Sequence, residues 1–404
     1  MKITSSTISG RSAVEMADHP HAPADRLAGD EQNEPYRRER APLLASPVQP
    51  VEPATGMSGR ELFQAMHRAG GPLRTLASVY LGWEEMLARP MQAAWLAIAG
   101  AYIPFGLGGT MCTLLERRFV DVLVTTPAQL THDLTEVRGL HHYHGSEDVD
   151  DDRLLRLDVN RYWNVFGDEH HLNTNDDLIA EFAESLSDRR TYTPSEYFYR
   201  LGLWLDQSGH KGAEGMLTVA ARHGVPIFCP SPADGDITSD LAHYRQRSGR
   251  RIVIDPVKET LDMVALNAAI EDGGGRAGII TLGGGAPRNY AQQAMACAYM
   301  LDRADLKRYN YGLRISLDPV QTGGLSGSTI SEGKTWKKYA ADTHIAEHFG
   351  EFMAPLAQIT QALLDSFAGA PRRDFVTVRY ADDGHQLVTV DGREVDTQAT
   401  YGYA

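Results

Sequence analysis

Three lysines and one tryptophan stand together in the segment "GGLSGSTISEGKTWKKY", residues 323–339. A lysine amine at its ordinary pKa is protonated and is therefore a poor nucleophile. Burial beside an aromatic ring, with other cations nearby, lowers that pKa and frees the lone pair. Lys338 follows Trp336 by two residues and is close to Lys334 and Lys337, so it is the candidate nucleophile. An exposed amphipathic helix start is the alternative that the residues alone leave open.

Two glycine-rich loops could bind phosphate or ribose. One precedes the lysines, where Ser326, Ser328 and Thr329 add hydroxyl groups. The other is Gly283–Gly285, which follows the apolar run "AGIITL" and precedes a helical pattern. Backbone N–H groups at such a strand-to-helix turn attract anions. Because the segment is not GxGxxG, a tight turn without a ligand remains the alternative.

A run of potential metal ligands lies in "HHYHGSEDVDDD", residues 141–152. Metal sites usually take their ligands from separate elements, whereas these residues are contiguous. We therefore predict a solvated polar loop without a metal, and a metal site is the alternative. The residues concerned are His141, His142, His144, Glu147 and Asp148.

The apolar pattern predicts an α/β fold. Short apolar runs such as "FVDVLVTT", "GVPIFCPSP", "RRIVIDPV" and "AGIITLGGG" alternate with helical stretches. This alternation is typical of a Rossmann-like parallel sheet with helices on both faces, here as a single large domain. Ligands of such sheets bind beyond the carboxyl ends of the strands. The loops at Thr125–Thr126, at Asp234 and at Gly283–Gly285 are therefore the candidate binding loops.

Three segments are expected along the chain. Residues 1–55 are rich in Pro, Ser and charged residues, and we predict disorder there. Residues 56–370 form the catalytic domain, which opens with helices broken at residues 70–72. Residues 371–404 form a C-terminal extension, in which "FVTVRYADDGHQLVTV" predicts a β-hairpin.

Composition narrows the classes of function. The 404 residues carry a formal net charge of −14, which argues against nonspecific nucleic-acid binding and suits a cationic ligand. No apolar run is long enough to span a membrane, and no signal pattern opens the sequence. Cys112, Cys229 and Cys297 lie in apolar stretches, so we predict buried free thiols. Free thiols fit a cytoplasmic protein.

Five separated blocks resemble the deoxyhypusine synthase family. They are "FVDVLVTTPAQLTHDL", "HYHGSEDVDDDRLLRLDVNRYWNVFGDE", "GVPIFCPSPADGD", "GIITLGGGAPRNY" and "LSGSTISEGKTWKKY". The resemblance implies a Rossmann-like fold and homotetramers with active sites at dimer interfaces. It also implies NAD-dependent oxidation of spermidine and transfer of its 4-aminobutyl group, through an imine on an active-site lysine, to an amine acceptor. The acceptor in this family is a protein lysine of a translation factor, or putrescine, which yields homospermidine.

The resemblance also assigns roles to individual residues. Lys338 matches the imine-forming lysine, and Trp336 matches the wall of the polyamine site, where an indole face suits a cation. Glu332 and Asp240 match acidic polyamine-binding positions. The positions that match cofactor contacts are Thr125, Thr126, Asp234, Gly283, Gly284, Gly285, Ser326 and Gly327.

The chain departs from the family pattern at several of these positions. Asn289 replaces the catalytic histidine, and an amide cannot shuttle a proton at neutral pH. Leu325 replaces an acidic residue of eukaryotic members, and Lys337 replaces a glycine. Pro127 and Gln129 alter the cofactor turn. Asn289 and Leu325 favour a small amine acceptor such as putrescine, whereas Asn289 and the altered cofactor turn would also suit an inactive relative. The alternatives are deoxyhypusine synthesis on a protein lysine and an inactive relative that binds polyamine or nucleotide.

Overall fold

The computed structural model describes residues 33–209, 214–301 and 303–397. The chain divides into two units, residues 1–49 and residues 50–404. In the described part of the first unit, Glu34–Leu43 form a helix in which no residue is buried. We predicted no regular structure here, but Pro35 and an acidic residue in the first turn favour helix initiation. Residues 1–32, also predicted to be disordered, lie outside the described residues.

Strands and helices alternate through the second unit. The strands are β1 (Gln92–Ile98), β2 (Val122–Thr125), β3 (Tyr143–His144), β4 (Val159–Tyr162), β5 (Val165–Asp168), β6 (Thr191–Tyr192), β7 (Ile227–Phe228), β8 (Val253–Ile254), β9 (Arg276–Leu282), β10 (Tyr309–Ser316), β11 (Tyr339–Phe349), β12 (Val376–Tyr380), β13 (Gln386–Val390) and β14 (Arg393–Val395). The helices are Gly59–Arg68, Gly71–Ala88, Gly108–Glu116, Pro127–Val137, Asp151–Arg156, Glu169–Glu184, Pro194–Gln207, Met216–His223, Asp236–Ser248, Pro256–Asp272, Gly285–Met300, Ile330–Thr335 and Met353–Ser366, with a π-helical turn at Ile103–Leu107 and a 3₁₀ turn at Val320–Thr322.

The central sheet has six parallel strands in the order β11-β10-β9-β1-β2-β7. Counted along the chain, this is the order 6-5-4-1-2-3, which defines the doubly wound Rossmann topology. The order reverses between β1 and β9, so the loops after these two strands diverge there. This is the point at which doubly wound sheets bind their ligands.

Helices cover both faces of the sheet, as the sequence predicted. Successive side chains of a strand point to opposite faces. Leu96 and Ile98 of β1 accordingly pack in one core cluster, and Trp95 and Ala97 of the same strand pack in another. Every residue of β1 is buried, which explains why its sequence reads as a continuous apolar run.

Two details of the sheet differ from the prediction. The run "RRIVIDPV" yields β8, which pairs with β6 in a separate two-stranded sheet and is not part of the central sheet. Strands β10 and β11 were not predicted, since their sequences "YNYGLRIS" and "YAADTHIAEHF" are broken by polar residues. β11 is one of the two edge strands, and exposed residues are interspersed with buried ones along it.

The C-terminal extension belongs to the second unit. The predicted hairpin is present as β12 and β13, and β14 adds a third antiparallel strand. Val376, Val378, Val388 and Val390 are buried and join the core cluster that contains Trp95. The extension therefore completes the hydrophobic core on one face of the central sheet.

Two predictions from composition can be compared with the structure. Cys112 and Cys229 are buried, Cys297 is partly buried, and all three are free. No helix within the described ranges is long and apolar enough to cross a membrane.

Candidate active site

The triple glycine stands at the carboxyl end of β9 and begins a helix. Gly283 has a φ of 71°, Gly284 is the N-cap, and the helix Gly285–Met300 follows. A Cβ on Gly283 would lie 2.9 Å from the carbonyl oxygen of Ala99, and one on Gly285 would lie 2.6 Å from the backbone nitrogen of Ser326. Only glycine allows these approaches. The turn therefore holds the loop after β1 and the loop around Ser326 against one helix N-terminus.

Two buried arginines hold the second of these loops through its carbonyl groups. Nη1 of Arg288 donates to the carbonyl oxygens of Leu325 and Ser326, both at 3.3 Å, and of Ser328 at 2.5 Å. Arg314 donates to Ser326 O at 2.7 Å. Nε and Nη2 of Arg288 have no hydrogen-bond partner among the described residues, although the side chain is buried. Sequence reasoning missed both arginines, because no motif marks a side chain that binds backbone carbonyls.

The lysine cluster ends a helix and does not begin one. The helix Ile330–Thr335 is capped by Thr329, whose hydroxyl accepts from the backbone N–H of Glu332. It ends at Trp336, and β11 starts directly after Lys338. Nζ of Lys338 lies 2.8 Å from Oδ1 of Asn289, to which it donates a hydrogen bond. The structure thus places the predicted nucleophile beside the residue that replaces the family histidine.

The environment of Lys338 lowers its pKa. Burial is the main cause, the positive charge of Arg288 adds to it, and the negative charge of Glu332 opposes it. The two neighbouring lysines have contacts of their own. Nζ of Lys334 donates to Ala341 O at 2.9 Å, and Nζ of Lys337 lies 3.4 Å from the ring centre of Tyr299. The positive charge that lowers the pKa of Lys338 is that of Arg288, a residue that the sequence analysis did not single out.

Trp336 and Glu332 leave part of this site open. The side chain of Trp336 is 65% exposed, and Nζ of Lys338 lies 6.0 Å from its ring centre. Glu332 is exposed and close enough for its charge to act on the pKa of Lys338. The indole face can therefore receive a cationic ligand, and a carboxylate stands near it.

Thr125 is the last residue of β2, which pairs with β1, and Thr126 follows it. Thr125 is buried, and its hydroxyl is engaged with the hydroxyl of Tyr102 at 2.7 Å. Thr126 is the N-cap residue of the helix Pro127–Val137 and is partly exposed. A Cβ on Gly235 would lie 2.8 Å from Cβ of Pro127. The loop that carries the exposed Asp234 is thus packed on the Thr126 turn.

Asp240 lines a separate acidic cavity of about 750 Å³. Burial, helped by the charges of Asp176 and Asp236, raises the pKa of Asp240 to about 7. Oδ2 of Asp240 and Oδ1 of Asp176 are buried without a partner among the described residues. The residues around the cavity are Asn160, Arg161, Tyr162, Glu169, Leu172, Asn173, Asp176, Asp236, Ser239, Asp240 and His243.

The predicted site residues therefore fall into two groups within one chain. Lys338, Asn289 and the loop of Ser326 and Gly327 surround the start of the helix Gly285–Met300. Asp240 lies in the acidic cavity, whose lining contains none of the first group, and this cavity adjoins the Thr126 turn through the segment 234–236.

The histidine-rich loop is only partly the solvated loop that we predicted. His141 and His144 are exposed. His142 is not exposed. Its Nε2 lies 3.0 Å from Nδ1 of His132, and its own Nδ1 lies 3.1 Å from Oε1 of Glu136. Within the described parts of the chain, no three His, Cys, Asp or Glu side chains are arranged to hold a metal ion. His132 was not singled out from the sequence, because its partner is ten residues away and no motif joins them.

The fold and the site define a doubly wound α/β protein with a partly buried lysine among the loops that follow the parallel strands. Comparison with known proteins specifies the family. The family model of deoxyhypusine synthase matches residues 61–356, and the chain belongs to that family. Members of this family transfer an aminobutyl group from spermidine in an NAD-dependent reaction.

Curated relatives and a solved structure agree with this assignment. "Probable deoxyhypusine synthase 2" of Methanosarcina mazei is 32% identical over 328 residues, which is 81% of this chain and 92% of the relative. "Deoxyhypusine synthase-like protein" of Coxiella burnetii is 28% identical over 298 residues, 73% of this chain and 83% of the relative. A crystal structure from Entamoeba histolytica that carries the deoxyhypusine synthase name matches with a TM-score of 0.52 at 16% identity, covering 79% of this chain and 96% of that one. At this identity the structural match supports the fold alone.

Proposed function

We propose that the chain is an NAD-dependent aminobutyl transferase that holds the 4-aminobutyl group of spermidine on Lys338 and passes it to a small amine. Putrescine is the favoured acceptor, and the product is then homospermidine. The observation that carries the proposal is the amine of Lys338, which is partly buried, bonded to Asn289 and lowered in pKa. An amine in this environment is neutral more often than a surface lysine and can attack a carbon.

Lys338 is the residue that forms the covalent intermediate. Its Nζ bonds to the imine carbon of oxidised spermidine, the bond from that carbon to 1,3-diaminopropane breaks, and the leaving amine takes up the proton that Nζ releases. The acceptor amine then displaces Nζ in the same manner. Oδ1 of Asn289 accepts one N–H of the amine and so fixes the direction of the lone pair.

The residues around the triple glycine fit a nicotinamide dinucleotide. The helix N-terminus at Gly285 presents backbone N–H groups, and two donor atoms of Arg288, beside the loop of Ser326 and Gly327, have no partner among the described residues. Thr126 fits the cofactor better than Thr125, whose hydroxyl is engaged with Tyr102. Asp234 is exposed and free to accept from ribose hydroxyls. When bound, the nicotinamide supplies the hydride acceptor for spermidine oxidation and returns the hydride at the end.

Trp336, Glu332 and Asp240 are proposed to bind the polyamine. An indole face and carboxylates are the groups that attract ammonium ions, and charge-assisted hydrogen bonds are the stronger ones. Asp240 and Lys338 do not share a cavity within one chain. We therefore also propose a homotetramer in which a second copy brings the two groups of residues together at a dimer interface.

Deoxyhypusine synthesis on a protein lysine is the second candidate. The name of the Methanosarcina relative, which is 32% identical, favours it. Asn289 and Leu325 favour a small acceptor, because neither residue offers the acid or base of the family pattern. A cytoplasmic location fits either acceptor.

One incubation tests the proposal. The protein is mixed with NAD, spermidine and putrescine, and NADH absorbance, 1,3-diaminopropane and homospermidine are measured. Borohydride added during turnover should leave an aminobutyl mass on the peptide that carries Lys338. Lys334→Arg and Lys337→Arg should retain the label, and Lys338→Arg should lose it together with all transfer. Label on Lys334 or Lys337, or activity in Lys338→Arg, would refute the role of Lys338. If the aminobutyl group is transferred only to a protein lysine, giving deoxyhypusine, the acceptor is a protein and not a small amine.

A further inference from the structure

A continuous chain of hydrogen bonds joins Glu136, His142 and His132. Oε1 of Glu136 lies 3.1 Å from Nδ1 of His142, and Nε2 of His142 lies 3.0 Å from Nδ1 of His132. Two of the three side chains come from the helix Pro127–Val137, and His142 comes from the loop after it. Tyr162 packs edge-on against both rings, with ring centres 4.8 Å from His132 and 6.1 Å from His142. The rings are thus fixed in place.

The direction of the hydrogen bonds follows from the carboxylate. An ionised carboxylate only accepts, so Nδ1 of His142 must donate to Glu136. A neutral His142 then has its lone pair on Nε2, and Nδ1 of His132 must donate to it. A neutral His132 is left with a lone pair on its own Nε2. No described residue forms a hydrogen bond with that atom.

The inner end of this chain lies near the candidate binding loops. The helix that carries His132 begins directly after β2 and the Thr126 turn. Gly235 packs on Pro127 at the start of this helix, and His132 stands five residues further on, about 7.5 Å along the helix axis. Tyr162, which covers both rings, also lines the acidic cavity that contains Asp240.

The outer end reaches solvent. His132 is 8% exposed, the side chain of His142 is 5% exposed and that of Glu136 is 30% exposed. The chain thus connects the nearly buried ring of His132 with a carboxylate that water can reach. Two imidazole rings that are nearly buried and aligned in this way are not expected of a solvated polar loop.

We propose that Glu136, His142 and His132 form a proton path that takes the proton from the bound polyamine amine to solvent. The proposal rests on the proposed function, in which the secondary ammonium of spermidine must lose a proton before its carbon gives a hydride to the nicotinamide. Nε2 of His132 takes that proton while Nδ1 passes its own proton to Nε2 of His142. Nδ1 of His142 passes its proton to Glu136, which releases it to water. Both rings end neutral, and in each ring the proton has moved from Nδ1 to Nε2.

In the proposed dimer, where a second copy brings the two groups of residues together, the path supplies the proton acceptor that Asn289 cannot be. The family histidine could accept a proton, and an amide cannot. Burial, together with the charge of His142, lowers the pKa of His132 to about 3. A ring with so low a pKa does not hold the proton, but it can relay one in a concerted transfer. Tyr162 is the other titratable group against the rings, and burial with the charges of Asp236 and Glu169 raises its pKa to about 12, so it stays neutral.

His142→Gln tests the path most sharply. A glutamine oxygen can still accept from Nδ1 of His132 and its amide can still donate to Glu136, so the positions survive while proton transfer is blocked. General acid–base groups contribute about 10²–10⁴-fold, and we expect NADH formation from spermidine to fall about 100-fold at neutral pH. The rate of NADH formation in the variant should then rise with pH, because hydroxide must remove the proton. The solvent deuterium isotope effect on this rate should become larger. His144→Gln, an exposed neighbour in the same loop, should behave as wild type.

Two further measurements separate this proposal from the proposed function. Nitrogen NMR of labelled histidines should show Nδ1 of His132 protonated and Nε2 bare, both in the wild type and in His142→Gln. Borohydride trapping of 4-aminobutanal on Lys338 bypasses amine oxidation and should be equal in the two proteins. Normal spermidine oxidation by His142→Gln, or a proton on Nε2 of His132, would overturn the path while leaving the role of Lys338 intact. A wild type that neither oxidises spermidine nor traps the aldehyde would overturn the proposed function and the path together.

Discussion

The amine of Lys338 is bonded to the amide oxygen of Asn289 at 2.8 Å, across a sequence separation of 49 residues. The bond joins the turn before β11 to the helix that starts at the triple glycine. An amide oxygen can accept from a neutral amine as well as from an ammonium group, and unlike a carboxylate it carries no negative charge that would hold Lys338 protonated. The charge state of Lys338 is decided instead by burial and by Arg288.

Arg288→Gln should raise the pKa of Lys338, because it removes the positive charge that disfavours the ammonium form. The pH at which aldehyde trapping on Lys338 reaches half its maximum should move upward. The titration of Lys338 can be followed by carbon NMR after reductive methylation. Arg314→Gln is the matched control, since Arg314 is also buried and also binds Ser326 O but does not contribute to this pKa shift. Equal shifts in the two variants would assign the effect to loop movement and not to charge.

The same lowered pKa predicts how the stability depends on pH. Between the folded-state pKa of Lys338 and its unfolded value of 10.5, the folded protein binds fewer protons than the unfolded protein. The contribution of Lys338 to the free energy of unfolding therefore rises with pH in that window. Lys338→Met should remove this contribution, so the stability difference between wild type and variant should change in favour of the wild type as the pH rises. Urea titrations of both proteins across the window measure it, and a difference that does not vary with pH would contradict the lowered pKa.

Trp336→Ala should weaken polyamine binding without loss of stability. The indole is 65% exposed, so its removal leaves no cavity. A cation–π contact at an exposed ring is worth about 0.5–1 kcal/mol, which corresponds to a spermidine Kd about two- to fivefold higher. Calorimetry measures the affinity and thermal unfolding measures the stability. Trp336→Phe should lie between wild type and alanine, and an unchanged affinity in both variants would remove Trp336 from the site.

Lys337 adopts a left-handed conformation, with a φ of 59°. This conformation costs about 1–2 kcal/mol for a residue with a Cβ, and the contact with the exposed Tyr299 returns about 0.5–1 kcal/mol. Lys337→Ala keeps the strain and loses the contact, so it should destabilise by about 0.5–1 kcal/mol. Lys337→Gly relieves the strain at an entropic cost of about 0.5–1 kcal/mol, and it should be more stable than the alanine variant. Denaturant unfolding of the three proteins decides this, and a less stable glycine variant would argue against the strain.

Val388→Ala tests whether the C-terminal sheet is part of the core. Val388 is fully buried, and large-to-small substitutions of buried aliphatic residues cost about 1–3 kcal/mol once the cavity is included. Thr389→Ala is the control, because it lies on the opposite face of the same strand and is only partly buried. If the two variants are equally stable by urea titration, the sheet is not packed as described.

Local patterns in the sequence predicted β2, β7 and β9, because buried parallel strands read as apolar runs. The same rule failed for β10 and β11, whose polar residues serve other roles. Arg314 of β10, for example, uses its charge to bind the carbonyl groups of a loop.

The sequence by itself determined the doubly wound class, the family and the lysine to be tested, since these depend on residue type and spacing along the chain. Only the tertiary structure decided the partners of those residues. Asn289 faces Lys338 and Arg288 supplies the neighbouring charge, because the sheet brings together loops that are far apart in sequence. His132 meets His142 because the loop after its helix folds back onto it. Burial and distance set the pKa of a group, and neither can be read from the order of the residues.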